Sequence, residues 1–314
     1  GVNIGDFLDA LAELLSSEEE DASTYKDGSS SLKIAVVGRP NVGKSSLINH
    51  LIDEKRLIVD DQAGTTRGPV DVPFSLQGKD ALLIDTAGSK KKKRKDPSIE
   101  KICYATARSS IKKANICIHV LDASSGIVAQ DKRIAGNVEE HHRACILAVN
   151  KWDLQESKNE ARRAWGKLIE EEFRFLPHAT TVFLSAKTGR GVPSLLKRIE
   201  LVADCRHTII PTGKLNAVLR EAQLIQQAPM RKSGKRLKIY YAVQLRHQPG
   251  TFAFIVNDPK LLHFSFERYL ENSLRRVADF TGVPLRFIYR KRKNRRPPSK
   301  KKKGRHQGGN RRDG

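Results

Sequence analysis

The chain has 314 residues, enough for two domains with cores of their own, and 58 Lys and Arg against 35 Asp and Glu give it a formal net charge of +23. Such an excess of cations points to a polyanionic partner, nucleic acid above all, because Lys and Arg gain affinity by displacing counterions from phosphates. No apolar run approaches the roughly 20 residues of a membrane span and no secretory signal is evident, so a cytoplasmic protein with no membrane partner, working as a monomer, is expected.

In chain order, Ile4, Phe7, Leu8, Leu11, Leu14 and Leu15 recur at helical spacing, which predicts a helix over 1–15 with one apolar face. The acidic and polar stretch 16–31 is expected to be a linker. From Leu32 the pattern changes. Strand-like runs at Ile34–Val37, Ala81–Ile84, Ile116–Leu121, Cys145–Val149 and Thr181–Leu184 alternate with helix-like segments, which predicts an α/β domain over 32–205: a mainly parallel sheet with helices on both faces. Cys117 and Cys145 lie inside these runs. With Cys103 and Cys205 they form no C-x-x-C pair, so core thiols are expected rather than disulfides or metal ligands.

Residues 206–290 predict a small α+β domain in the order helix (Lys214–Gln227), strand (Leu237–Arg246), strand (Thr251–Asn257), helix (Phe264–Phe280), strand (Leu285–Arg290). Gln248-Pro249-Gly250 suggests a turn that pairs the two middle strands antiparallel. Residues 291–314 are basic and nearly devoid of large apolar side chains, and a disordered tail that grips phosphates without reading sequence is expected.

Five short motifs occur in order between Leu32 and Lys187. Gly38-Arg39-Pro40-Asn41-Val42-Gly43-Lys44-Ser45 fits G-x-x-x-x-G-K-[ST] between a strand and a helix, the context of a P-loop. Its backbone N–H groups, from Gly38 through Asn41, Val42 and Gly43 to Ser46, are expected to cradle phosphates. Lys44 is expected to neutralise β/γ-phosphate charge, and Ser45 to ligate Mg²⁺. Asp85, at a strand end, is the expected Walker-B-type Mg²⁺ partner, and Gly88 offers an N–H to the γ-phosphate. Thr65-Thr66 sits where a switch threonine can close over the metal, and Thr66 is preferred. Asn150-Lys151-Trp152-Asp153 and Ser185-Ala186-Lys187 complete the set. The Asp153 carboxylate can accept from guanine N1–H and its 2-amino group, donors that adenine lacks, so GTP and GDP are the expected ligands. After Gly88 come Ser89 and then the run Lys90–Lys95, with no glutamine to orient water, so slow turnover raised by an ion or a partner is expected. The basic run should shift with nucleotide state.

These residues together resemble the Der (EngA) family of ribosome-assembly GTPases, and Asp131-Lys132-Arg133-Ile134-Ala135-Gly136 and Gly234 to Tyr241 add to the likeness. The resemblance covers Leu32 to about Arg290 and implies a second G domain followed by a KH-like domain, with 1–15 similar to the closing helix of a first G domain that the chain lacks. It further implies a role in large ribosomal subunit maturation, with that subunit or its precursor and rRNA as partners. It also implies K⁺ held with the help of Asn41, acting as a catalytic group beside Lys44, Thr66 and Gly88. Gly68 and Ser89 depart from the family pattern. Gly213, Gly234, Gly250 and Gly282 form no G-x-x-G loop, so clamping of single strands is not expected. Tyr240, Tyr241, Phe252 and Phe254 could stack bases, although strand alternation should put half of them in the core. Two alternatives stay open: an Era-like RNA-linked GTPase with another target, and a GTP-bound scaffold with negligible turnover.

Overall fold

The computed structural model describes residues 31–53, 71–76, 79–84, 97–225, 235–245 and 250–292. The expected helix over 1–15, nearly all of the linker, Thr66, Asp85, Gly88, Lys90–Lys95 and the tail beyond Arg292 lie outside the described residues.

Six strands form the first sheet: β1 (Leu32–Val37), β2 (Val72–Leu76), β3 (Lys79–Ile84), β4 (Ile116–Asp122), β5 (Ala144–Asn150) and β6 (Thr180–Phe183). Their order is β2-β3-β1-β4-β5-β6, with β2 antiparallel to β3 and every other pair parallel. β4 and β5 are buried along their whole length, as central strands covered on both faces must be. Alternate residues serve opposite faces. Ile116, Ile118, Ile146 and Ala148 pack with α1 (Lys44–Asp53) and α5 (Val192–Arg206). Cys117, Leu121, Cys145 and Leu147 pack with α2 (Pro97–Lys113), α3 (Ala129–Glu140) and α4 (Lys158–Glu172). Cys117 and Cys145 are register partners, buried and free, as expected of core thiols. Burial pushes the Cys117 thiol up to about 12, so it stays protonated.

The second unit follows as α6 (Thr212–Ile225), β7 (Ile239–Gln244), β8 (Thr251–Val256), α7 (Phe264–Val277) and β9 (Arg286–Lys291). β7 pairs antiparallel with β8, as expected, and β8 pairs parallel with β9. β7 starts later than expected, after Leu237, and α7 ends before the expected Phe280, while β9 runs one residue into the expected tail; the expected helix end at Gln227 and strand end at Arg246 lie outside the described residues. Phe266, Leu270 and Leu274, on one face of α7, are completely buried against the sheet. Phe252 and Phe254 on β8 are also fully buried. They belong to the core and cannot stack bases, and they are half of the four aromatics, the share that strand alternation was expected to bury. Tyr240 lies instead between Lys238 and Arg292, whose cations sit 5.5 and 4.8 Å from its ring centroid.

The two units share one continuous apolar core, from Ile146 and Val202 through Ile210 to Phe280 and Val283. A turn at Gly282 keys them together. Its carbonyl accepts from Cys145 N at 2.9 Å and its N–H donates to the His178 carbonyl at 3.0 Å. A Cβ there would come within 2.5 Å of Val202 Cγ2, on a backbone with φ of 75°.

Candidate nucleotide site

Parallel strands point their C-terminal ends the same way, so the loops after β1, β4, β5 and β6 gather at one edge of the sheet. Those loops carry the P-loop, Asp122, Asn150 to Asp153 and Ser185 to Lys187. The structure therefore brings together every expected site residue among the described ones: Gly38, Asn41, Val42, Gly43, Lys44, Ser45, Ser46, Asn150, Lys151, Asp153, Ser185, Ala186 and Lys187. Thr66, Asp85 and Gly88 lie outside them.

Asn150 ties the loops to one another. Its buried side chain donates from Nδ2 to the Val42 carbonyl at 2.6 Å, and its Oδ1 accepts from Ala186 N at 2.7 Å. The P-loop and the Ser185-Ala186-Lys187 loop are thus held at a fixed separation by one amide. Gly43 leaves the space this needs, since a Cβ at that position would lie 2.2 Å from Asn150 Nδ2. Gly38, at φ 154°, passes so near β4 that a Cβ would meet the Val120 carbonyl oxygen at 2.6 Å. The Lys44 ammonium donates to the Gly38 and Arg39 carbonyls at 2.9 and 2.7 Å, at the start of α1, where unpaired helical N–H groups and the helix dipole favour an anion.

Asp153 is the middle residue of a short 3₁₀ turn, Trp152–Leu154, and is exposed. A hydrogen bond from the Ser185 side chain, opposed by burial and aided by its own backbone N–H and by Lys187 and Lys158, holds its pKa below the usual range. It is therefore an acceptor at neutral pH, aimed by a residue of the neighbouring motif. Trp152 packs on Phe183 with centroids 4.3 Å apart, which anchors the turn to β6. Asn41 and Lys151 both adopt left-handed backbone, with φ of 64° and 61°. Non-glycine residues held so are uncommon and concentrate where a loop must present its groups in one particular way.

Sequence reasoning missed two features. Asp122, at the end of β4, is buried, and Lys151 Nζ lies 2.6 Å from its Oδ2. Burial works against the charge of Asp122, but hydrogen bonds from Lys151 and Ser124 outweigh it and lower the pKa. Its position at the end of a parallel strand is the one signal that could have marked Asp122. Beneath the P-loop, Arg39 Nε lies 3.4 Å from the buried Asp131 Oδ2, and His119 Nε2 lies 3.9 Å from Oδ1. Asp131 also caps the start of α3 by accepting from Val128 N at 3.1 Å. The motif Asp131 to Gly136 was visible in the sequence, but its link to the P-loop was not.

Comparison with known proteins bears on this site. The family model "50S ribosome-binding GTPase" matches residues 33–151, and "Elongation factor Tu GTP binding domain" matches 100–204. "KH-domain-like of EngA bacterial GTPase enzymes, C-terminal" matches 210–290. GTPase Der of Alkaliphilus oremlandii is 43% identical over 94% of the chain, and GTPase Der of Listeria monocytogenes is 42% identical over 93%. The chain spans 66% of the length of each. The solved structure of Era with MgGDPNP and a segment of 16S ribosomal RNA is 18% identical and covers 83% of this chain and 93% of its own, but a TM-score of 0.42 adds nothing to the fold already described. On the identity to the Der proteins and the matches to both of its units, the chain belongs to the Der (EngA) family of GTPases, as a G domain with the KH-like domain that follows it.

Proposed function

We propose that this chain binds and hydrolyses GTP and acts as a cytoplasmic switch in assembly of the large ribosomal subunit, docking on rRNA in one nucleotide state. One observation carries the nucleotide half: the Asn150 amide locks the P-loop to the loop that aims Asp153, so phosphate-binding and base-reading groups share one rigid frame. A family model described as ribosome-binding and the +23 charge support the RNA half. In this reading, 32–205 holds the nucleotide and 206–290 faces the ribosomal particle, while the basic segment 291–314 adds phosphate affinity.

Each residue then has a task. The N–H groups of Gly38 to Ser46 and the Lys44 ammonium bind and orient the phosphates, Asp153 selects guanine, and Ala186 N–H stays near the base because Asn150 holds that loop. Thr66 and Gly88 close on the γ-phosphate. Mg²⁺, held by Ser45, Thr66 and Asp85, and K⁺, held with the help of Asn41, supply positive charge to the phosphates when bound.

Turnover of GTP and XTP by the wild-type chain and by Asp153→Asn, in K⁺ and in Na⁺ buffer, tests the proposal. Faster wild-type turnover in K⁺ is expected. Asp153→Asn should lose GTP preference by on the order of 10²-fold and gain on xanthine nucleotides. Absence of turnover in either buffer contradicts the enzymatic half, and an unchanged base preference contradicts the role of Asp153.

A further inference from the structure

At the other end of the six-stranded sheet from the candidate nucleotide site, a partly open pocket lies between the two units. Asn115, before β4, and Arg143, before β5, contribute from one side; Arg206 closes α5 above them; Arg286, at the start of β9, comes from the KH-like domain. His142 completes the wall. Among the described residues the lining contains three arginines and a histidine and no carboxylate. Arg143 is buried and donates to the Lys112 carbonyl at 2.6 Å, so its guanidinium is fixed in place.

Two further observations say what the pocket is suited to. Among the described residues, His142 is the third non-glycine residue in left-handed backbone, with φ of 48°; the other two, Asn41 and Lys151, belong to the candidate nucleotide site. Its imidazole is also disfavoured as a cation, first by burial and then by the positive charges of Arg286 and Arg143. The C-terminal end of α5 opposes an anion with about half an elementary charge, which three full cations exceed. Guanidinium groups from both domains, converging on one partly open pocket, match the bidentate geometry of phosphate oxygens.

We propose that this interdomain pocket is a phosphate-binding site that takes one backbone phosphate of an RNA strand and so fixes the KH-like domain against the G domain. The identity of the phosphate rests on the RNA partner proposed above; the site itself does not. It stands apart from the P-loop, and its lining residues belong to none of the five nucleotide motifs.

The test follows the side-chain resonances of His142 in the full chain saturated with GDP and Mg²⁺, which keeps inorganic phosphate off the P-loop. Phosphate is titrated against sodium chloride at matched ionic strength, with His142→Gln to assign the signal. A saturable shift of His142 and a rise in its pKa with phosphate but not chloride are expected. Arg286→Gln should weaken that response at least tenfold, and Arg206→Gln provides an independent variant should the first fail to fold. A short single-stranded RNA should then move the same signal and compete with phosphate. A His142 signal indifferent to phosphate overturns the site. RNA that binds without moving His142 overturns its assignment to RNA. RNA that does not bind the chain at all contradicts the proposed function instead, and the phosphate response separates the two failures.

Discussion

Asn150 shows how one side chain can hold a site together. Its partners Val42 and Ala186 lie 108 and 36 positions away, so the sequence showed the Asn-Lys-Trp-Asp motif but not the bridge it makes. Asn150→Ala should leave the Val42 carbonyl and Ala186 N–H without this partner in a buried place, costing about 1–3 kcal/mol, and should weaken nucleotide affinity as the two loops drift apart. Gly43→Ala should do the same by pushing the amide away. Denaturant unfolding with and without GDP checks both. Wild-type stability and affinity in Asn150→Ala would contradict the bridge.

His119 and His178 carry a second residue-scale prediction. Burial first, and nearby cations second, lower both imidazoles from 6.5 to about 3, so each stays neutral in the fold where the unfolded chain takes up a proton. The unfolded state then binds more protons, and stability falls as pH drops below about 6.5, by about 1.4 kcal/mol per pH unit for each imidazole. Glu139 acts the other way. Burial, and then Glu271, raise it to about 7 despite Arg275, which favours the fold as pH falls from about 7 toward 4.5, though its partial exposure screens the effect. His119→Leu removes one of the two sensitive groups, so between about pH 6 and pH 4 its unfolding free energy should depend less steeply on pH by about 1.4 kcal/mol per unit. An unchanged slope would contradict the buried neutral imidazole.

At the scale of elements, the strands were legible because β4 and β5 are apolar at most positions, and the motifs were legible because they sit in loops after parallel strands. Element ends were not, since tertiary contacts settle them: the last turn expected for α7 gives way at Ala278, before Phe280 turns back to pack on Phe252. Two of the four aromatics considered for base stacking, Phe252 and Phe254, are core, the share that alternation predicts, but alternation did not say which two, because β8 is covered along its whole length. The Gly282 turn was also silent in sequence. Gly282→Ala adds a Cβ against Val202 on a backbone with positive φ, and a loss of about 1–3 kcal/mol is expected, read by thermal unfolding. A variant as stable as wild type would show that the turn does not key the domains together.

For the whole molecule, the shared core and the Gly282 hydrogen bonds mean that the two domains protect each other's apolar surface. Calorimetry of the chain should show them unfolding in one cooperative transition, and two separated transitions would contradict that coupling. A rigid pair of domains is also what a switch needs in order to pass nucleotide state from the P-loop edge to an RNA-facing surface. The measurement that tests this most directly is sedimentation of the chain with purified large ribosomal subunits, in GDP and in a non-hydrolysable GTP analogue, across a salt series. The account predicts strong co-sedimentation with the analogue alone, surviving moderate salt. Binding that is equal in both nucleotides and vanishes with salt would contradict it.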